Sequence, residues 1–360
     1  MRVLQVINSL ATGGAEKLLL DSIPKYSDKG IQMDLLLLNG TAYPFYQQFK
    51  AAETGVVFEL GTSSVYNPLL IFKIIKYLKG YDVVHVHLFP ALYWVALAKW
   101  ISFSKVTLVF TEHSIHNRRM NSWILKRLDR FIYSKYSKIS CITEEVKVQL
   151  QKNLHFAEER FVVIANGIDL SKINRAQPYL KSDLKLSLPD DSKLLLQVSS
   201  FQYPKDQATV IKSLRYMPST VHLLLVGEGV DLDQSKKLVQ DCNLNSRVHF
   251  LGVRMDVHHL LKTVDVVVLS SQYEGLSLSC VEGLASGKPF IASDVPGLRE
   301  VVQDSGLLFP YQDEKKLAAI CTALISDTNM TAMIVSRCLL KSAHYAIETM
   351  IENYVQLYQL

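Results

Sequence analysis

The chain has 360 residues, 49% of them hydrophobic and 20% charged, which is a globular composition and excludes the low-hydrophobicity, high-charge regime of disordered chains. That length suits two domains of ordinary size, each with its own core. The net charge of +5 is unevenly placed, with 20 Lys and Arg against 13 Asp and Glu in residues 1–165 and 19 against 21 in the rest, so the first half is the one suited to an anionic partner.

Residues 3–7 form an apolar run behind a single positive charge, and the chain turns polar at Asn8 and Ser9. This predicts a buried first strand and lacks the apolar core of a signal peptide. Further strands are predicted at 33–38, 56–60, 83–86, 106–110 and 139–142, with helix-length segments between them, the βαβ pattern of a parallel sheet. The longest apolar stretch, 88–98, stops at Lys99, short of the roughly 20 residues of a spanning helix. No transmembrane segment is expected.

Residues 116–138 carry seven Lys and Arg against one acid, Asp129, interleaved with Trp123, Ile124, Leu125, Leu128, Phe131, Ile132 and Tyr136. That is a basic amphipathic helix, suited either to an anionic membrane surface or to a solvated position with its apolar face on the domain core.

Asn166-Gly167-Ile168-Asp169 is a turn sequence, and the segment that follows to Ser192 holds Pro178 and Pro189, which places a hinge over 166–192. The alternation then resumes, with strands predicted at 194–198, 222–226, 248–251, 266–269 and 289–292. The expected organisation is a Rossmann-like α/β domain over 1–165, the linker over 166–192 and a second Rossmann-like domain over 193–343, both doubly wound. In the closing segment 344–360, apolar Ile347, Met350, Ile351, Tyr354, Val355 and Tyr358 recur with helix periodicity, giving a helix that could pack back on the first domain. The five cysteines, Cys141, Cys242, Cys280, Cys321 and Cys338, are odd in number and form no C-x-x-C pair, which argues against a disulfide framework and favours a reducing, cytoplasmic setting.

The most informative segment is 274–289, which joins the apolar run 266–269 to the next predicted strand. As a loop feeding a helix from the carboxyl end of a parallel strand, it would offer the amides of residues 275–279 to a phosphate. Glu274 and Glu282 flank that amide cluster, and two carboxylates beside a phosphate nest suit the hydroxyls of a sugar nucleotide. Ser279 and Glu282 also match a capping box, which would account for Glu282 structurally but not for Glu274.

The Glu-x7-Glu segment resembles the signature of the retaining glycosyltransferases of family 4, which have the GT-B fold, two Rossmann-like doubly wound domains facing across a cleft. Gly13-Gly14-Ala15-Glu16, Thr111-Glu112-His113, Asn166-Gly167-Ile168-Asp169 and Leu225-Val226-Gly227-Glu228-Gly229 extend the likeness over nearly the whole chain. The resemblance implies metal-independent transfer of a hexosyl or N-acetylhexosaminyl group, with retention, from a nucleotide-sugar, UDP-sugar favoured, to a glycan or lipid-linked acceptor in surface polysaccharide biosynthesis. It implies that Glu282 binds the donor ribose, that Glu274 with the amides of Gly275, Leu276, Ser277 and Leu278 holds the donor sugar, that Lys205 neutralises the diphosphate and that Gly14 approaches the phosphate. His113 would lie near the reacting sugar, where an imidazole can donate a hydrogen bond to a hydroxyl; a core histidine at a strand end is the other account of it. No cofactor beyond the nucleotide-sugar co-substrate, no metal and no nucleic acid is implied, and the enzyme would be cytoplasmic, peripheral on the membrane if residues 116–138 bind lipid.

One departure matters. The family usually has Gly-Arg before the loop that leads to the lysine, and here Ser200 stands where the arginine is expected. That removes a charge-assisted phosphate contact, for which Arg254 is a candidate substitute. Asp231-Leu232-Asp233 matches a D-x-D metal string but is better read as a helix cap. His85-Val86-His87 would share one strand face, and with His113 or His116 they outline a zinc site that no Cys or spaced ligand closes. Two alternatives share the fold: a sugar-nucleotide epimerase, and a catalytically weak sugar-nucleotide-binding partner subunit, which Ser200 keeps open.

Overall fold

The computed structural model describes residues 1–52, 55–114 and 122–359. They divide into two compact units, Met1–Gly167 with Ile347–Leu360, and Ile168–Ala346.

The first unit runs β1 (Arg2–Ile7), α1 (Gly14–Ser22), β2 (Gln32–Leu37), α2 (Pro44–Ala51), β3 (Val57–Glu59), α3 (Leu70–Ile75), β4 (Val83–His87), α4 (Ala91–Ser102), β5 (Thr107–Glu112), α5 (Trp123–Tyr133), β6 (Lys138–Cys141), α6 (Glu144–Leu154) and β7 (Phe161–Val163). Its strands lie in the order β3-β2-β1-β4-β5-β6-β7, and every pairing is parallel. Because helices cover both faces of such a sheet, central strands must be apolar on both sides. Leu4, Leu35, Leu36, Val84, Val86 and Leu108 accordingly have no exposed surface.

The second unit runs α7 (Leu170–Arg175), β8 (Lys193–Val198), α8 (Gln207–Ser213), β9 (Val221–Val226), α9 (Leu232–Asp241), β10 (Val248–Phe250), α10 (Val257–Thr263), β11 (Val266–Leu269), α11 (Leu278–Ala285), β12 (Phe290–Ser293), α12 (Arg299–Val302), β13 (Leu307–Phe309), α13 (Glu314–Ser326) and α14 (Thr328–Ser342). Its sheet has the order β10-β9-β8-β11-β12-β13, again all parallel. The expected strands are present to within a residue or two. The edge strands β7 and β13 are additions.

The segment read as a hinge belongs largely to the second unit. Asp169 caps α7 by accepting from the Lys172 N–H at 3.1 Å, and Tyr179 donates its N–H to Thr263 Oγ1 at 2.8 Å and its hydroxyl to Asp256 Oδ2 at 2.6 Å. The chain then returns to the first unit as α15 (Ile347–Tyr358). That helix buries Ile347, Met350, Ile351, Tyr354, Leu357 and Tyr358, and Lys25 and Lys29 meet Glu348 and Glu352 at 3.1 Å each. Among the described residues no single helix is long and apolar enough to cross a membrane.

Each large apolar side chain buried by α15 contributes about 2 kcal/mol. A chain ending at Ala346 is therefore expected to lose the cooperative melting of the first unit while the second retains its own transition. Hydrogen exchange by mass spectrometry reads the two separately, and full protection of β1, β4 and β5 in the shortened chain would oppose this.

Candidate functional site

In a doubly wound sheet, successive loops turn to opposite faces where the strand order reverses, and a crevice opens at the carboxyl ends of those two strands. In the second unit the reversal lies between β8 and β11. The loop after β8 carries Lys205 and the loop after β11 carries Glu274. The Lys205 ammonium donates to Glu274 Oε1 at 2.5 Å, the two side chains being 20% and 10% exposed. Ser271 Oγ donates to the same oxygen at 2.6 Å, so both contacts fall on Oε1.

These loops are held by their own backbones and by buried amides. The Gln272 N–H donates to the Pro204 carbonyl at 2.8 Å. Gln207 Nε2 donates to Ser199 Oγ at 3.0 Å and to the Ser200 carbonyl at 2.8 Å, and Ser270 Oγ donates to the Asp206 carbonyl at 2.6 Å. Gly297, at φ +82°, sits so close to the loop that a Cβ there would lie 1.9 Å from the Glu274 carbonyl oxygen. Gly227 plays the same part on the other side, where a Cβ would stand 2.1 Å from the Ser199 carbonyl oxygen.

The loop holding Gly275, Leu276 and Ser277 feeds α11. Its N-cap is Ser277, without a side-chain cap bond, and the Val281 N–H makes the first helical bond, to the Ser277 carbonyl at 3.2 Å. The amides of Leu278, Ser279 and Cys280 thus lack intrahelical acceptors. Ser279 lies inside the first turn, so the capping box that offered a structural account of Glu282 does not form. Glu282 is 7% exposed and lies on α11, where Cα–Cβ bonds lean toward the helix N-terminus.

Arg254 is committed elsewhere. Its Nε and Nη2 donate to Asp256 Oδ1 and Oδ2 at 2.8 and 2.5 Å, and this pairing holds the Asp256 carboxyl well below the usual range. In the free protein the candidate substitute for the missing arginine is thus paired with Asp256, as Lys205 is with Glu274. Asp231 takes the N-cap position of α9, but its side chain makes no cap bond.

In the first unit the reversal lies between β1 and β4. Gly14 opens α1 after β1 and is exposed, with nothing within 4 Å of where a Cβ would be. Glu16, in the first turn, is half-buried, and burial pushes its carboxyl up to about 7; it stood in a quoted motif without an assigned role. His87 ends β4, and His113 follows β5 with its Nε2 3.2 Å from His87 Nδ1. Burial pushes His113 down to about 4 and His85 to about 3. His85 and His87 are engaged by Thr111, Tyr358 and Gln5, and among the described residues no group of three His, Cys, Asp or Glu is placed to hold a metal. His116 lies outside the described residues.

Comparison with known proteins places two family models end to end on this framework, Glycosyltransferase Family 4 over residues 12–172 and Glycosyl transferases group 1 over residues 181–337. The chain belongs to the family 4 glycosyltransferases. This glycosyltransferase is similar to the putative glycosyltransferase EpsF of Bacillus subtilis, 26% identical over 81% of this chain and 79% of that protein. It also matches the N-acetylgalactosamine-N,N'-diacetylbacillosaminyl-diphospho-undecaprenol 4-alpha-N-acetylgalactosaminyltransferase of Campylobacter jejuni, at 25% identity over 90% of each. Its fold is GT-B, as in HepE of Anabaena solved with UDP and glucose, at a TM-score of 0.85 and 24% identity over the whole of both chains.

The sequence reading singled out Lys205, Glu274 and Glu282 but missed Ser271, Gln207 and Gly297, of which only the Pro296-Gly297 turn dipeptide left a signal. Gly297→Ala in this glycosyltransferase is expected to cost about 2 kcal/mol or more, from positive φ and the backbone clash together. Thermal unfolding of the second unit measures it, and a variant as stable as the parent would show that the loop at Glu274 yields freely.

Proposed function

We propose that this glycosyltransferase moves a sugar from a UDP-sugar to a lipid-linked glycan, with retention and without a metal. The observation that carries this reading is the Lys205–Glu274 contact beside the open amides of α11. In the free protein the two charges neutralise each other. A bound donor brings a diphosphate and a sugar with hydroxyls, so the ammonium can turn to the phosphate while the carboxylate accepts from the hydroxyls. Neither charge is left buried and unpaired in the exchange. In transfer, the bond from the anomeric carbon to the diphosphate oxygen breaks with its electron pair going to the diphosphate, and a bond to the acceptor oxygen forms as that oxygen gives its proton to the departing diphosphate. Lys205 and the α11 N-terminal amides of Leu278, Ser279 and Cys280 would stabilise the negative charge developing on the leaving group. With Ser200 in place of arginine, more of that stabilisation falls to the amides.

Glu282 is assigned to the ribose, Gly14 to close approach of the phosphate and His113 to a sugar hydroxyl. HepE has also been solved with UDP-glucose, and the Campylobacter relative's name specifies a diphospho-undecaprenol acceptor; both support the choice of donor and acceptor class. The assignments separate in solution. Glu282→Ala should weaken UDP binding about tenfold, whereas Glu274→Ala should leave UDP affinity within about twofold and cut turnover about a hundredfold. Calorimetry with UDP and donor turnover measure the two, and equal losses in both variants would sink the division of roles.

The acceptor class also gives a use to α5. Residues 116–121 of the basic stretch lie outside the described residues, but α5 exposes Trp123 (69%) together with Ile124, Leu125, Leu128 and Phe131. It buries Asp129, Ile132 and Tyr133 instead, with the Tyr93 hydroxyl donating to Asp129. Its apolar residues therefore mostly do not cover the core. Trp100 packs edge-on against Phe131, and Ile101 and Phe103 (87% exposed) continue the patch. Aromatic side chains bordered by Lys126, Arg127 and Arg130 suit an anionic membrane surface, each basic residue contributing about 1 kcal/mol there. Arg127→Gln with Arg130→Gln should lower co-sedimentation with phosphatidylserine vesicles about tenfold or more, and salt should do the same. Undiminished sedimentation of the double variant would leave α5 a solvated helix and favour a soluble acceptor.

A further inference from the structure

A single chain of hydrogen bonds runs through the first unit from His113 to α15. His113 Nε2 lies 3.2 Å from His87 Nδ1, and His87 Nε2 lies 2.8 Å from Gln5 Oε1. Gln5 Nε2 donates to the Tyr358 hydroxyl at 3.2 Å, and that hydroxyl lies 2.6 Å from His85 Nδ1. His85 Nε2 lies 2.7 Å from Thr111 Oγ1, which is 2.9 Å from the Tyr354 hydroxyl. Gln5, His85, His87, Thr111, Tyr354 and Tyr358 are all buried.

The direction of the bonds from His113 to Tyr358 follows from one group that can only accept. Gln5 Nε2 lies 3.4 Å from the Met33 sulfur, and a thioether has no proton to donate. The amide nitrogen therefore faces Met33 and Tyr358, and the amide oxygen faces His87. An oxygen that only accepts requires His87 Nε2 to carry the proton. His87 is 2% exposed and has no carboxylate among its described partners, so it is neutral and its Nδ1 is a bare lone pair. His113 Nε2 must then donate to it. A neutral His113 with its proton on Nε2 has a lone pair on Nδ1, to which no described residue donates. On the far side, Tyr358 accepts from Gln5 and continues the path through His85 and Thr111 to Tyr354. The three bonds from His113 to Tyr358 point one way, and donors that themselves accept strengthen one another.

We infer that Gln5 and Tyr358 are positioning residues that, through His87, fix His113 in the tautomer protonated on Nε2, so that His113 offers Nδ1 as an acceptor to a substrate hydroxyl. The ring thus takes the opposite part to the donor expected of it. The substrate half of this inference rests on the assignment of His113 proposed above; the tautomer half does not.

Two-bond proton–nitrogen spectra of the full chain labelled on its histidine rings read the tautomer directly, with His113→Gln supplying the assignment. The free protein should show a protonated Nε2 and a bare Nδ1 on His113; a proton on Nδ1 overturns the inference whatever any variant does. In Tyr358→Phe the Gln5 amide nitrogen keeps only the weak 3.4 Å contact to the Met33 sulfur and can turn over, so the His87 and His113 nitrogens should shift toward the other tautomer, with turnover down about tenfold and UDP affinity kept. Tyr354→Phe also removes one buried hydroxyl, but beyond His85, and should leave the His113 signals in place. Unmoved His113 signals in Tyr358→Phe, or equal shifts in both variants, would remove the positioning role. Full turnover by His113→Gln would remove the substrate contact alone and leave the tautomer result standing.

Discussion

Every strand in each sheet runs the same way, and so every strand delivers its following loop to the same edge. This constraint decides where chemistry can happen. The faces of both sheets are covered and mostly apolar, with buried polar groups hydrogen-bonded to one another, and an isolated charge there would be costly. Only the carboxyl-end loops escape, and only where the strand order reverses do two adjacent loops part enough to admit a ligand. Lys205 and Glu274 stand at that point of the second sheet, and Gly14, His87 and His113 stand around the matching point of the first.

What the loops hold there is made rigid by backbone, not by bulk. Gly227 and Gly297 let neighbouring chains approach to distances that any side chain would forbid, and Gln207 and Ser270 spend buried hydrogen bonds on main-chain oxygens. Groups fixed in this way need not reorganise when charge moves to a leaving group, which is the condition under which amides and an ammonium are most effective. The Lys205–Glu274 pair serves the resting state in the same sense, since each partner keeps the other neutralised until a ligand replaces it.

The fold was largely legible because buried parallel strands read as apolar runs with helix-length spacers. It failed at the edge strands β7 and β13. Glu274 and Glu282 were legible from their spacing on a strand-loop-helix, but the start of α11 was not, because Ser277 and Ser279 are equally plausible caps on sequence grounds. The orientation of α5 was invisible: periodicity reveals that a helix has two faces and not which one turns inward, and here the lone acid Asp129 goes in, drawn by the Tyr93 hydroxyl. Contacts across long separations left no trace at all. Lys205 and Glu274 are 69 positions apart, and His85 and Tyr358 are 273 apart, so no local pattern joins them.

The path of the chain through its two units bears on how the protein is made. The chain enters the second unit at Ile168 and leaves it at Ala346, and these two residues are bridged, with the Ile168 N–H donating to the Tyr345 carbonyl at 2.9 Å. The helix that finishes the first unit follows that exit, so a ribosome synthesises the entire second unit before it supplies α15. During that interval the nascent first sheet stands with Gln5, His85 and Thr111 uncovered and lacking Tyr354 and Tyr358. The unit that begins first is completed last. Any interruption of synthesis within the second half therefore leaves the first half open to quality control, so that an unfinished chain is marked by the state of the domain made earliest.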